Sequence, residues 1–371
     1  MTNFKNVRSI QFELTLDGEG CVNFDSAEQL KYLSSVGIVK YDDSSFFKIK
    51  KNNNKEPLSN ILFSKKIFRT SPTDDVIEYH VKVSSECLRN AIFKEGMPFQ
   101  SPTIMSIPHV LYSAIAHPDS LVRGYMYASK TGTLKKKSPL YITDAEEVGA
   151  WRRSIATDFH SRSGQKESNE GKGSDDAKDN SIYKIENVGK VTYIAKGGID
   201  VQELGFISGD PLYDRMAINV DGGANEIIYL DTLSKNLNIN NPEFKYYYLN
   251  NSYTNDEWAE RGILLDNTTI NNLIKRTLKN ILNISVIRRN AFLKTNKLTI
   301  HVFTDNNVET VEVTNDNIDS LYFECITNYL EASEDKIKSN KEMAESIASK
   351  VKEEKKPSKS KKSKSDTSND E

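Results

Sequence analysis

Apolar and polar residues alternate with a period of two early in the chain. Ile10, Phe12, Leu14 and Leu16 fall on one side, and Ser9, Gln11, Glu13 and Thr15 on the other, which predicts a half-buried strand. Ile77, Tyr79, Val81 and Val83 repeat the alternation, and Ser85 then caps a predicted helix over 86–95 that Gly96 and Pro98 end. Further strands are predicted over 191–194, 201–207, 216–220 and 227–230. Across 267–283 the period lengthens, because Ile270, Leu273, Ile274, Leu278, Ile281 and Leu282 form a helical stripe, and 298–303 alternates again as a strand. Strands and helices interleave with no repeat and no clean linker, so the expected architecture is one α+β domain over residues 1–330 with insertions. The apolar stretch 321–330 is expected to lead into a solvated helix through about residue 352. The rest of the charged tail 331–371 is expected to be disordered.

Composition bounds the class. Among 371 residues, 50 are Lys or Arg and 52 Asp or Glu, a formal net charge of −2, with 37% hydrophobic and 27% charged residues. No stretch approaches the roughly 20 apolar residues of a membrane span, and the first eight residues lack a signal-peptide core. A soluble cytoplasmic protein with no membrane partner is therefore expected. Cys21, Cys87 and Cys325 have neither metal spacing nor a paired framework, which suits a reducing compartment.

The neutral balance hides an uneven distribution. The tail places six lysines within 355–364, and residues 161–181 carry nine charges, three glycines and five serines with Ala177 their one apolar residue, which predicts a mobile insertion loop. Two windows contain no acid. One, 121–143, holds Arg123, Lys130, Lys135, Lys136 and Lys137; the other, 268–301, holds Lys275, Arg276, Lys279, Arg288, Arg289, Lys294 and Lys297. Surfaces kept clear of carboxylates suit a phosphate backbone, which binds them through counterion release. Tyr125, Tyr127, Tyr141 and Phe292 lie among these cations and offer stacking faces for single-stranded bases. Solvated surface lysines and ordinary core aromatics would give the same pattern.

Catalytic chemistry finds little support. His80, His109, His117, His160 and His301 are scattered, with no zinc-type pair, and no phosphate-binding P-loop occurs. Gly18-Glu19-Gly20 lacks the third glycine and following helix of a dinucleotide site. No metal, cofactor or catalytic residue is predicted.

Several segments, in order, carry a resemblance. They are 18–23 (GEGCVN), 87–89 (CLR) with 93–95 (FKE), 121–125 (LVRGY) leading to 136–140 (KKSPL), and Arg153 with Phe159 and Ser161. Tyr193-Ile194 with Gly198, 203–208 (ELGFIS), Asp214-Arg215, 261–265 (RGILL) and 282–284 (LNI) before Arg288-Arg289 follow. Together they resemble the backbone subunit of CRISPR surveillance complexes, the seventh Cas family of the RAMP superfamily, and most closely its type I-F variant, over about residues 7–305.

The resemblance implies a modified RRM-like (ferredoxin-like) palm with inserted loops, non-catalytic, whose copies polymerise along the spacer of a guide crRNA. The bound guide then pairs with target DNA, beside other Cascade subunits, while the protein reads backbone and shape. It implies RNA contact at Gly18, Gly20 and Asn23, at Arg123, Tyr125, Lys136, Lys137 and Ser138, and at Arg153, Arg261, Arg288 and Arg289, to which the charge of the first window adds Lys130 and Lys135. A thumb hairpin would occupy 40–74, with Phe46, Phe47, Lys48 and Lys50 as wedge candidates. Glu19 departs from the pattern, since a carboxylate beside phosphate is unfavourable. Two other classes stay open: a RAMP-type endoribonuclease processing CRISPR transcripts, for which the C-terminal region offers Lys294, Lys297 and His301 but no glycine-rich loop, and a general single-stranded RNA-binding protein.

Overall fold

The computed structural model describes residues 2–19, 62–69, 75–94, 102–129, 132–148, 156–163, 180–187, 190–211, 215–219, 223–250, 259–288, 291–338 and 342. In chain order its first elements are β1 (Thr2–Glu19), β2 (Leu62–Arg69), β3 (Asp75–Val83), α1 (Ser85–Ile92), α2 (Pro102–Met105), α3 (Pro108–Ile115) and α4 (Pro118–Arg123). The hairpin β4 (Tyr125–Ser129) and β5 (Gly132–Lys136) follows, then β6 (Leu140–Ile142), β7 (Ala145–Glu147), β8 (Ala156–Ser163), β9 (Asn180–Asn187), β10 (Val191–Asp200), α5 (Val201–Leu204) and β11 (Phe206–Ser208). The remainder comprises α6 (Ala224–Leu237), β12 (Lys245–Leu249), β13 (Glu260–Leu264), α7 (Asn267–Leu282), β14 (Ser285–Arg288), β15 (Ala291–Thr304), β16 (Val308–Val313), β17 (Leu321–Cys325) and β18 (Tyr329–Glu331).

The alternation that opens the sequence builds the centre of the fold. Phe4, Val7, Ile10, Phe12, Leu14 and Leu16 of β1 are buried. The strand pairs antiparallel with β10 and β15 and parallel with β17. Asn6, at φ 57°, sits where the β17 register shifts, a conformation that asparagine tolerates better than most residues. This largely antiparallel sheet has ten strands, and a second sheet of four runs β11-β13-β12-β18. Against the large sheet packs α7, whose predicted stripe buries Ile270, Leu273, Ile274, Leu278 and Ile281. Asp266 starts the helix by accepting from Thr269 N at 2.6 Å.

Several local expectations are corrected. Residues 201–207 are not one strand: Asp200 accepts from Gln202 N and Glu203 N and starts α5, and β11 begins only at Phe206. Residues 227–230 lie inside α6, with Tyr229 and Leu233 buried, and 216–219 are irregular with Ala217 and Ile218 in the core. The α1 cap is Ser84, whose side chain accepts from Cys87 N, and the helix stops at Ile92. Residues 321–330 do not begin a helix. Leu321 and Phe323 face inward from β17, Phe323 stacks on Phe4 at 5.3 Å, and helical structure resumes only at 334–338.

Two hairpins bear on the insertions. β2 pairs with β3 from Leu62↔Lys82 to Arg69↔Asp75, but β3 joins β7 only through Lys82 and Val83. The hairpin is thus attached to the sheet at its base. β8 and β9 pair as far as Ser163↔Asn180, so strand pairing extends into the predicted 161–181 loop at both ends. Among the described residues no helix is long and apolar enough to cross a membrane.

Candidate functional site

Helix α4 begins at Pro118 behind the N-cap His117, whose Nδ1 accepts from Asp119 N at 3.2 Å. Burial lowers the His117 pKa, an effect Asp119 opposes. The helix ends at Gly124, φ 73°, whose N–H donates to Ser120 O. A Cβ on Gly124 would lie 2.7 Å from Lys136 O and from Ser138 N, so only glycine lets the helix end approach the returning strand this closely. The hairpin then sets Tyr125 opposite Lys136 and Met126 opposite Lys135. From β5 the backbone is stitched onward: Lys135 N donates to Met216 O, and Ala217 N to Ser208 O. Arg215, distant in sequence, is thereby brought to the cations of the first window.

The result is an open cleft of about 590 Å3 lined by Arg123, Gly124, Tyr125, Met126, Lys135, Lys136, Lys137, Ser138, Glu203 and Arg215. Its cations differ in setting. Arg123 and Lys137 are exposed, with Arg123 donating to Asn90 Oδ1 at 2.8 Å and Lys137 Nζ 3.2 Å from Glu203 Oε1. Lys136 is buried and donates to Glu203 O at 2.6 Å. Burial pushes its pKa down to about 8, with Glu203 opposing and Arg215 assisting. Arg215 grips buried Glu260 through Nε at 3.1 Å and through its terminal nitrogen. Burial disfavours the Arg215 charge, but the Glu260 bonds prevail and raise its pKa.

Arg89 holds the corner together. It donates to Leu140 O at 3.0 Å, to Arg123 O at 2.5 Å and to Ser138 Oγ at 3.2 Å. Neither Arg89 nor Arg215 was singled out by charge patterning, because each stands alone in sequence. Their presence in the resembling segments 87–89 and 214–215 was the available signal.

The predicted residues divide accordingly. Arg123, Tyr125, Lys135, Lys136, Lys137 and Ser138 meet at the cleft. Tyr125 is nine-tenths buried and its hydroxyl donates to Ala217 O at 2.9 Å, so it gives the cleft a wall rather than a free stacking face. The Ser138 hydroxyl is committed to backbone oxygens of Val122 and Leu140. Arg261 lies elsewhere: alternation along β13 sends Glu260 toward Arg215 while Arg261 pairs with Glu226 at 3.2 Å and lies over Phe244. Gly18 sits near the end of β1, and Arg288 ends β14. Gly20, Asn23, Lys130, Arg153, Arg289, Phe46, Phe47, Lys48 and Lys50 lie outside the described residues.

In the second acid-free window, three of the described cations are paired with carboxylates from elsewhere in the chain and a fourth with a backbone carbonyl. Arg276 binds buried Asp119 at 2.7 Å, Lys279 binds Asp319 at 2.7 Å, Lys275 donates to Asp319 O, and Lys297 meets Glu312 at 3.0 Å. His301 Nδ1 is 2.9 Å from Thr310 Oγ1. Among the described residues no three His, Cys, Asp or Glu side chains gather to hold a metal.

A mixed α/β protein with a cation-lined open cleft beside its β4–β5 hairpin is the class that these features define. The chain belongs to the Type I-Fv CRISPR-associated protein Cas7fv-like family, whose sequence pattern matches residues 6–353, and is thus a Cas7-type backbone subunit of a type I CRISPR complex. Among solved structures, a chain described as "CRISPR RNA-guided surveillance complex" is similar at 10% identity and TM-score 0.31, covering 94% of this chain and 85% of that one. Another, "CRISPR RNA-guided surveillance complex, pre-nicking", is similar at 9% identity and TM-score 0.30, covering 94% and 89%. No curated protein matches the chain.

Proposed function

We propose that this chain binds a guide crRNA along the Arg123–Lys137 cleft, oligomerises with copies of itself along the spacer, and presents the guide for pairing with target DNA. The observation that carries the reading is the convergence of Arg123, Lys135, Lys136, Lys137 and Arg215 on one open cleft in a chain of the Cas7fv-like family. Phosphate oxygens would meet the exposed pair Arg123 and Lys137, while buried Lys136 supplies fixed positive potential behind them. Contacts to the phosphate backbone position RNA without reading its sequence, which leaves specificity to base pairing.

In this reading the ten-stranded sheet corresponds to the RRM-like palm and the β2–β3 hairpin, fixed at Lys82 and Val83, forms the base of the thumb. Catalysis is not part of the role. The test is a labelled single-stranded RNA titrated over a salt series. Arg123→Glu with Lys137→Glu weakens binding and lowers the salt slope by about 1.4, at about 0.7 for each lost phosphate contact. An unchanged slope removes the cleft from the RNA path. Complexes on longer RNA should grow stepwise in mass, and one fixed stoichiometry at every length contradicts assembly along the guide.

A further inference from the structure

Among the described residues lining the cleft, Glu203 is the one acid. Its placement is fixed from below: Asp200 Oδ1 accepts from Gln202 N at 2.9 Å and from Glu203 N at 3.2 Å, which pins the short helix α5. From that position Glu203 serves two consecutive lysines by different atoms. Its backbone carbonyl takes Lys136 Nζ at 2.6 Å, and its carboxylate takes Lys137 Nζ at 3.2 Å. The first bond belongs to the buried floor and is independent of the side chain. The second lies at the mouth, where the Lys137 side chain is 67% and the Glu203 side chain 20% exposed.

The geometry points to Glu203 as a specificity-determining residue: its carboxylate is the resident counter-anion of the cleft, and an incoming RNA phosphate must take its place on Lys137. This inference rests on the reading of the cleft as an RNA site. Lys137 is the exposed member of the pair, and an ion pair with one solvent-exposed partner is weak enough to open, so displacement is feasible. A single phosphate then exchanges one anion for another on Lys137 and meets the repulsion of the carboxylate it displaced. A chain of phosphates that reaches Arg123 and Lys137 together adds contacts which Glu203 does not contest. The carboxylate thereby sets a threshold for any anion at Lys137, which a lone phosphate has little to offset and a polymer of phosphates offsets through its other contacts.

The test is Glu203→Gln, which keeps the backbone carbonyl on Lys136 and removes the charge from Lys137. Labelled single-stranded RNA is titrated over a salt series, with inorganic phosphate as competitor and thermal unfolding as a check of folding. The variant should bind RNA about two- to fivefold more tightly at low salt, as expected for release of one weak ion pair. Its salt slope should stay close to that of the wild type, since the same phosphates are contacted, and inorganic phosphate should bind more tightly than it does to the wild type. In a Lys137→Ala background the same substitution should give a markedly smaller gain. Glu203→Asp, too short to span to Lys137, should show a smaller tightening and covers the case in which the Gln variant folds poorly. Wild-type binding with no gain in either folded variant overturns the inference alone. If the wild type shows no salt-dependent RNA binding, both this inference and the reading of the cleft fail.

Discussion

Replacing Lys136 with Met should change protein stability in a direction that depends on pH. The ammonium is buried, with one hydrogen bond to Glu203 O at 2.6 Å. Burial lowers its pKa from the ordinary 10.5 to about 8. Folding therefore disfavours the protonated form. Below about pH 8 both folded and unfolded chains carry the proton and the full penalty applies, about 3 kcal/mol at 1.36 kcal/mol per pH decade. Between about pH 8 and 10.5 the unfolded chain binds more protons than the folded one, so the penalty is relieved as pH rises, by about 2–3 kcal/mol between pH 7 and pH 10. Methionine removes the penalty but strands the Glu203 carbonyl at a cost of about 1–3 kcal/mol. Near pH 7 the variant should accordingly match or slightly exceed the wild type, and near pH 10 it should be less stable by about 1–2 kcal/mol. Urea unfolding of both proteins at the two pH values reads the difference and cancels the titration of every other group. A stability difference that stays constant between them refutes the reasoning.

Gly124→Ala should cost at least about 2 kcal/mol, because a side chain at positive φ is strained and its Cβ would collide with Lys136 O and Ser138 N; a thermal midpoint like the wild type's would contradict the close approach. Arg276→Met leaves buried Asp119 without its ion pair and should lose about 1–3 kcal/mol, less than a fully buried pair since Arg276 is partly exposed. The same variant should leave the salt slope of RNA binding unchanged, and a slope lowered by a full contact would return the second basic window to the RNA path.

What the sequence made legible follows the range of the interactions concerned. The period-two register of Ile10 to Leu16 and the stripe of α7 depend on nearest neighbours along an element, and both were readable. The runs at 201–207 and 227–230 are short, where period alone does not separate a strand from a helix turn; Asp200 capping α5 and the length of α6 decide them. The first acid-free window became a real cleft because its cations sit on a single hairpin and its flanks. In the second, Arg276, Lys279 and Lys297 pair with Asp119, Asp319 and Glu312 from other elements, and carboxylates so distant in sequence leave no local mark. Arg89 and Arg215 were missed for the same reason. Their partners, Leu140, Arg123 and Ser138 for one and Glu260 for the other, are gathered only by the fold.

The placement of β1 also governs how the chain reaches this fold. Its partners lie at 191–200, 291–304 and 321–325, so the strand that organises the core is made early and completed late. During synthesis its apolar face and both hydrogen-bonding edges wait for most of the chain to emerge. Closing such long loops makes folding slow, and an unpaired apolar strand is a template for wrong pairing. Expression at lower temperature, or with chaperones that cover exposed strands, should therefore raise the yield of this protein far more than it does for a helical chain of equal length.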